Sequence, residues 1–235
     1  MIDTTKNILV LAAIKGELAA FIEPLNTKTA TLCGIDYYID ELIGGNKVYC
    51  VLCGAGKATS SAIAAAFIAQ KDFNIGFVIN TGTAGSLDKK LNKGDIVVGT
   101  DYCQHDYDIT GLFSDFKVGQ MFGKEDVFDL VPDSLIKSLP TGEGVHFGTI
   151  ISGDRFIDKA VGIDGCRPLA VDMESAAIAH ICYNVFNVPF VSVRAITDSA
   201  DGNAHEDWKT LHARLSFAAA KYSKQIIETL YSNFK

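Results

Sequence analysis

Short apolar runs alternate with helix-compatible stretches along most of this chain, and the joints between them are glycine-rich or charged. Residues 7–12 (Asn-Ile-Leu-Val-Leu-Ala) precede a helix-compatible segment at 16–21, and 47–52 lead through Gly54-Ala55-Gly56 into an alanine-rich stretch at 57–71. Residues 76–80, 94–99, 145–152, 169–171 and 189–195 read as further strands, 132–138 and 174–186 as helices, and 212–231 as a terminal amphipathic helix. Such alternation predicts an α/β fold, three layers α/β/α with helices on both faces of a central twisted sheet. An early pair of strands, 37–43 and 47–52, flanks Gly44-Gly45-Asn46 and reads as a hairpin, so the sheet is expected to be mixed. Residues 102–140 have poor periodicity and read as a long functional loop. No repeat or linker divides the chain, and 1–235 is expected to be one domain, within the ordinary size of an α/β unit.

A net charge of −7 argues against a nucleic-acid partner, which requires a basic surface to displace counterions from phosphates. The four arginines, Arg155, Arg167, Arg194 and Arg214, all lie beyond residue 150. Six cysteines match no disulfide framework or zinc spacing and are expected to be reduced, mostly buried thiols. In Cys50-Val-Leu-Cys53 a strand would send the two sulfurs to opposite faces. The apolar stretch 8–20 is interrupted by Lys15 and Glu17, and no run approaches the roughly 18 residues of a membrane span. A cytoplasmic protein without a membrane partner is expected.

Two glycine loops resemble nucleotide motifs. Gly54-Ala55-Gly56-Lys57 has Thr59 where a dinucleotide fingerprint needs its third glycine, and as a phosphate loop it would need glycine at Val51 and a hydroxyl at Ala58. It reads as a tight strand-to-helix turn. Asn80-Thr-Gly-Thr-Ala-Gly-Ser86 joins hydroxyls and small residues past a strand, where ligands of open α/β sheets bind, and is equally compatible with a site and a plain turn.

Val171-Asp-Met-Glu-Ser-Ala-Ala places Glu174 between a strand and a helix. It reads either as an anion site near helix amides or as a simple cap with Asp172. Arg194-Ala-Ile-Thr-Asp198 closes an apolar run with two charges, either a buried ion pair or an active site. His105-Asp106-Tyr-Asp108 lacks a second cluster that would complete a metal shell, and no metal or cofactor is expected.

Four of these segments, Val171-Asp-Met-Glu-Ser-Ala-Ala, Arg194-Ala-Ile-Thr-Asp-Ser-Ala-Asp201, Ile79-Asn-Thr-Gly-Thr-Ala-Gly85 and Ser152-Gly-Asp-Arg-Phe-Ile157, together resemble the 5′-methylthioadenosine/S-adenosylhomocysteine nucleosidases. The resemblance runs from the first strand to the last helix and implies a nucleoside phosphorylase-like fold. It implies Asp198 as general acid at adenine N7, Glu174 with the Met173 backbone as ribose ligand, and Glu17 as base for the attacking water. Arg194 and the Thr83 hydroxyl would orient that water. Phe156 would stack on the base, and the Ile157 backbone would read its edge. Ala13 and Trp208 would line the substrate, and Leu112 and Phe113 would reach the 5′ pocket of the partner in a homodimer. Thr83 stands where the family commonly has serine, Ile14, Lys15 and Gly16 where it usually has further glutamates, and the segment 156–172 is short.

The wider group includes phosphorylases, which must hold a dianion with cationic side chains. The purine phosphorylases do so with arginines from the first half of the chain, which are missing here, while Glu17 would repel phosphate. Hydrolysis of 5′-methylthioadenosine, S-adenosylhomocysteine or 5′-deoxyadenosine is therefore expected. A phosphate-using purine nucleoside phosphorylase, an aminodeoxyfutalosine nucleosidase and a non-catalytic nucleoside-binding protein are the alternatives.

Overall fold

The computed structural model describes residues 2–22, 27–42, 45–158, 161–198 and 204–231; the side chains of residues 204 and 206–208 lie outside the described part. Among these residues ten strands join in one mixed sheet. Strand β1 (Asn7–Ala12) runs parallel to β4 (Lys47–Leu52) on one side and β5 (Ile75–Ser86) on the other. Beyond β4 the antiparallel β3 (Ile35–Glu41) and β2 (Lys28–Leu32) complete an open wing. On the other side the sheet closes on itself. β5 pairs with β10 (Phe190–Asp198), β10 with β6 (Ile96–Gln104), β6 with β8 (Val145–Ser152), β8 with β9 (Ala170–Asp172), and β9 again with β5. The two-residue β7 (Asp129–Leu130) is added to β6.

Helices cover this sheet as the alternating pattern predicts. The last helix, α5 (Ala204–Tyr231), lies on β5 and β10 and touches α1 (Ala19–Ile22). Its buried Leu215, Ala219, Tyr222, Ile226 and Ile227 recur at helical spacing and form one stripe. Helix α2 (Lys57–Ile68) packs on α4 (Ser175–His180). The short α3 spans Asp133–Ile136. Five central β1 side chains, Ile8 to Ala12, are fully buried, as expected of a strand covered on both faces.

Several boundaries differ from the expectation for physical reasons. Residues 81–86 are not a loop but the second half of β5. β10 continues beside them, with Arg194 opposite Gly82 and Asp198 near Gly85. A Cβ at Gly82 would stand 2.2 Å from Arg194 Nη1, and one at Gly85 would stand 2.9 Å from Asp198 Oδ1. These glycines mark a close side-chain approach, not a turn. β2 was not expected; it turns into β3 through Cys33 and Gly34 at φ of 50° and 79°, a two-residue hairpin with both central residues left-handed. In the expected turn at 44–46, Gly44 lies outside the described residues. The helix expected at 174–186 becomes a π turn over Ile181–Phe186 and stops at left-handed Asn187. The terminal helix begins at Ala204 instead of residue 212. The expected loop begins only after β6, and residues 105–128 form neither helix nor strand.

Candidate active site

Strands β1, β4, β5 and β10 run parallel, so their carboxyl ends meet on one side of the sheet and wall a cavity of about 340 Å³. Besides Asp172, three carboxylates reach it from three segments: Glu17 from the turn after β1, Glu174 from the junction of β9 and α4, and Asp198 from the last position of β10. All three are buried.

Glu17 belongs to the 3-10 turn Lys15–Leu18, which folds its side chain back toward β1. Its Oε2 accepts the N–H groups of Ala13 (3.0 Å) and Ile14 (3.2 Å), and its Oε1 accepts the N–H of Thr83 (3.2 Å). Burial pushes this carboxyl up from its ordinary range, against the pull of Arg194 and those amides. The Thr83 hydroxyl lies 3.4 Å from His212 Nδ1.

At the cavity wall, donors converge on Asp172. It accepts the hydroxyls of Ser152 and Ser175 and the N–H groups of Glu174 and Ser175, both at 3.3 Å. It pairs with Arg194 Nε at 2.7 Å. Arg194 is itself fully enclosed. Its Nη2 meets Asn80 Oδ1, Ser175 Oγ (3.1 Å) and Glu174 Oε2 (3.4 Å). A buried guanidinium needs such a surround, because its desolvation is otherwise uncompensated. Glu174 Oε1 accepts the N–H of Gly56 at 3.1 Å. Burial and the neighbouring Asp172 push the Glu174 carboxyl up to about 7, with Arg194 opposing. Asp198 Oδ2 accepts the Thr197 hydroxyl at 2.9 Å.

Apolar side chains line the cavity as well. Phe156, 50% exposed, meets the His205 ring edge-on with centroids 6.4 Å apart, and Ile157 and Met173 line the cavity nearby. Of the residues singled out in the sequence, Ala13, Glu17, Thr83, Phe156, Ile157, Met173, Glu174 and Asp198 are thus brought around one cavity. Arg194 is placed behind its wall instead of on it. Leu112 and Phe113 are not at the cavity of their own chain. Leu112 is 77% exposed, and Phe113 clusters with Phe116 and Phe122 at 5.5 and 5.6 Å. The side chain of Trp208 and residues 199–201, the end of the Arg194 motif, lie outside the described residues.

Sequence reasoning missed Ala55, Arg155 and His205, which also line the cavity. Ala55 was discoverable, since its glycine loop follows a parallel strand and strand-end loops gather ligands in such sheets. Asp172 does cap α4 through the Glu174 and Ser175 amides, as one of the two sequence readings has it; its contacts with Ser152 and Arg194 depend on elements distant in sequence. Cys50 and Cys53 are both buried free thiols, and burial pushes both well up, as for inert core cysteines.

A family model for the phosphorylase superfamily matches residues 7–230. Among solved structures, the 5′-methylthioadenosine/S-adenosylhomocysteine nucleosidase from Neisseria meningitidis, in complex with methylthio-immucillin-A, is 31% identical, with 95% of this chain and 99% of that chain covered and a TM-score of 0.85. The nucleosidase of the same description from S. pneumoniae, with the transition-state inhibitor MT-ImmA, is 28% identical over 95% and 99% of the two chains, with a TM-score of 0.85. Futalosine hydrolase of Helicobacter pylori, at 24% identity, 95% and 97% coverage and a TM-score of 0.84, shares the fold.

Proposed function

Because the chain belongs to the phosphorylase superfamily and, within it, to the 5′-methylthioadenosine/S-adenosylhomocysteine nucleosidases, a family of N-glycosyl hydrolases, we propose that it cleaves 5′-substituted adenosines with water. The products are adenine and the 5-substituted ribose. The observation that carries this reading is Glu17, a buried carboxylate held by three amides at the cavity that Glu174 and Asp198 also line.

In the proposed reaction the C1′–N9 bond breaks and its electron pair passes into the purine, leaving cationic character at C1′. Asp198 supplies a proton or hydrogen bond at N7, which neutralises the departing base. Water adds its oxygen to C1′ and gives its proton to Glu17, whose raised affinity for protons suits a base. Glu174 and the Met173 backbone hold the ribose hydroxyls, and the Thr83 hydroxyl orients the water. Arg194, enclosed behind the wall, acts by fixing Glu174 and by its field on Glu17. Phe156 stacks on adenine, Ile157 reads its edge, and Ala13 lines the sugar. An anionic phosphate in place of water would face Glu17, which disfavours phosphorolysis.

The same proposal includes a homodimer in which Leu112 and Phe113 of one chain line the 5′ pocket of the other. The exposed Leu112 and Phe122 support it. A cytoplasmic location is proposed from the six free cysteines; and among the described residues no helix is long and apolar enough to cross a membrane. Base release from methylthioadenosine, adenosylhomocysteine, 5′-deoxyadenosine, aminodeoxyfutalosine, adenosine and inosine, with and without phosphate, tests the reading. Adenine release unaffected by phosphate is expected from one or more of the 5′-substituted adenosines. Strict phosphate dependence with a ribose 1-phosphate product would overturn hydrolysis, and turnover of inosine alone would remove the adenine assignment. Binding without turnover of any substrate would leave a nucleoside-binding protein.

A further inference from the structure

Two sequence motifs that have no part in the chemistry above meet in space. Lys57, at the end of the glycine loop, and Asp106, from the His105-Asp106 segment, are 49 residues apart in sequence and pair at 2.5 Å between Nζ and Oδ1. Both converge on Asp154, two residues before Phe156. Asp106 Oδ2 accepts the N–H of Asp154 at 2.8 Å. Asp154 Oδ1 accepts the N–H of Lys57 at 2.8 Å, and Lys57 Nζ stands 4.0 Å from Asp154 Oδ2.

The rest of the segment is held just as closely. Ser152 O accepts the N–H of His105 at 3.0 Å, and Gly153 donates to Asp172 O at 3.1 Å. A Cβ on Gly153 would stand 2.3 Å from His105 Nε2, so this backbone lies directly against the imidazole. The chain then enters the cavity as Arg155, Phe156 and Ile157. The amide next to that of Lys57, Gly56 N–H, binds Glu174 Oε1 at 3.1 Å. Consecutive amides of one turn therefore hold the base-side segment and the sugar-side carboxylate.

We infer that Lys57 and Asp106 are positioning residues for base recognition: their ion pair clamps the Asp154 backbone so that Phe156 and Ile157 face Asp198 at a set distance. The inference rests on the proposed base site. An ion pair whose members also bind backbone gains from that preorganisation, since a partly shielded pair on free side chains contributes little.

The test uses Lys57→Met and the near-isosteric Asp106→Asn, with Lys57→Arg as the conservative replacement, in the full chain. Three quantities are read: amide hydrogen exchange of residues 152–158 without ligand, the Kd for free adenine, and kcat and KM for the best 5′-substituted adenosine. Loss of the clamp is expected to raise exchange, the adenine Kd and KM each about tenfold, a single decade of equilibrium, while kcat stays within about threefold. Lys57→Arg is expected to recover most of the exchange protection and of the adenine affinity. Unchanged exchange and adenine Kd in a cooperatively melting Asp106→Asn protein would overturn the inference, as would a fall in kcat at constant KM. If the unmodified protein neither binds nor releases adenine, the base-site reading fails. The exchange data then decide the clamp by themselves. Should Lys57→Met not fold, Asp106→Asn carries the same three readouts.

Discussion

One guanidinium stands among three carboxylates inside this protein: Arg194 is shared by Asp172, Glu174 and, at longer range, Glu17. The imbalance sets a pH dependence. The Glu174 carboxyl is raised from 4.5 to about 7, so between those values the folded chain keeps a proton that the unfolded chain has released. The contribution of Glu174 to the stability of the ligand-free protein is therefore expected to fall as pH rises from about 4.5 to about 7 and to level off above, the slope following the excess of bound protons in the folded state. Glu17 adds a contribution of the same sign. Thermal melting from pH 4 to pH 8 of the unmodified chain and of Glu174→Gln separates this contribution from the opposite one of His105 and His212, which burial keeps neutral; Glu174→Gln should remove the downward part of the slope, and identical profiles for the two proteins would exclude the assignment. For Asp198→Asn the expectation is a loss of turnover of about 10²–10⁴, the usual contribution of a general acid, with affinity for a non-cleavable adenosine analogue largely kept. Undiminished turnover would remove Asp198 as the acid. At this scale Asp198 and Glu174 were legible from their motifs and Glu17 from the resemblance, and all three line one cavity. Asp172 was legible only as a cap, since its contacts with Ser152 and Arg194 become visible only when β8 and β10 bring them beside it.

Elements were legible where burial imposes a period. β1, β4 and β8 were read with their observed bounds, because each carries an apolar run, Ile8 to Ala12, Val48 to Leu52 and Ile150-Ile151. The carboxyl halves of β5 and β10 were partly hidden, as Thr, Gly, Ala and Ser resemble a loop although the ladder between the strands continues. Those small residues leave room for Arg194 and Asp198, which gives a specific expectation for Gly82→Ala. Its new methyl group would fall within 2.2 Å of Arg194 Nη1 and 2.8 Å of Glu17 Oε1, both enclosed. A loss of about 1–3 kcal/mol, typical of overpacking, is expected in denaturant unfolding, together with reduced activity. Gly111→Ala, where nothing lies within 4 Å, is the neutral control. Equal midpoints for the two variants would contradict the packing argument.

For the molecule as a whole, alternation of strands and helices disclosed the layered α/β class and the mixed sheet. Closure of five strands into a ring was not readable, because it depends on the three-residue β9 and on β10 pairing with both β5 and β6. The proposed dimer belongs to this scale too. Sedimentation at micromolar concentration is expected to give twice the chain mass, and Leu112→Asp should shift it toward the monomer. A monomer for the unmodified chain would leave the exposed aromatic cluster of Phe113, Phe116 and Phe122 without the proposed cover.

The ring also determines where the sheet can be extended. A strand paired on both sides offers no template for a foreign one, so the catalytic end is protected from strand-by-strand growth into fibres. The outer side of β2, at the far end of the open wing, is a free edge. It is only five residues long and begins with exposed Lys28 and Thr29, so it offers a second copy a short ladder with a charge at its end. The part of the sheet most open to misassembly is thereby placed away from the substrate and made a poor seed.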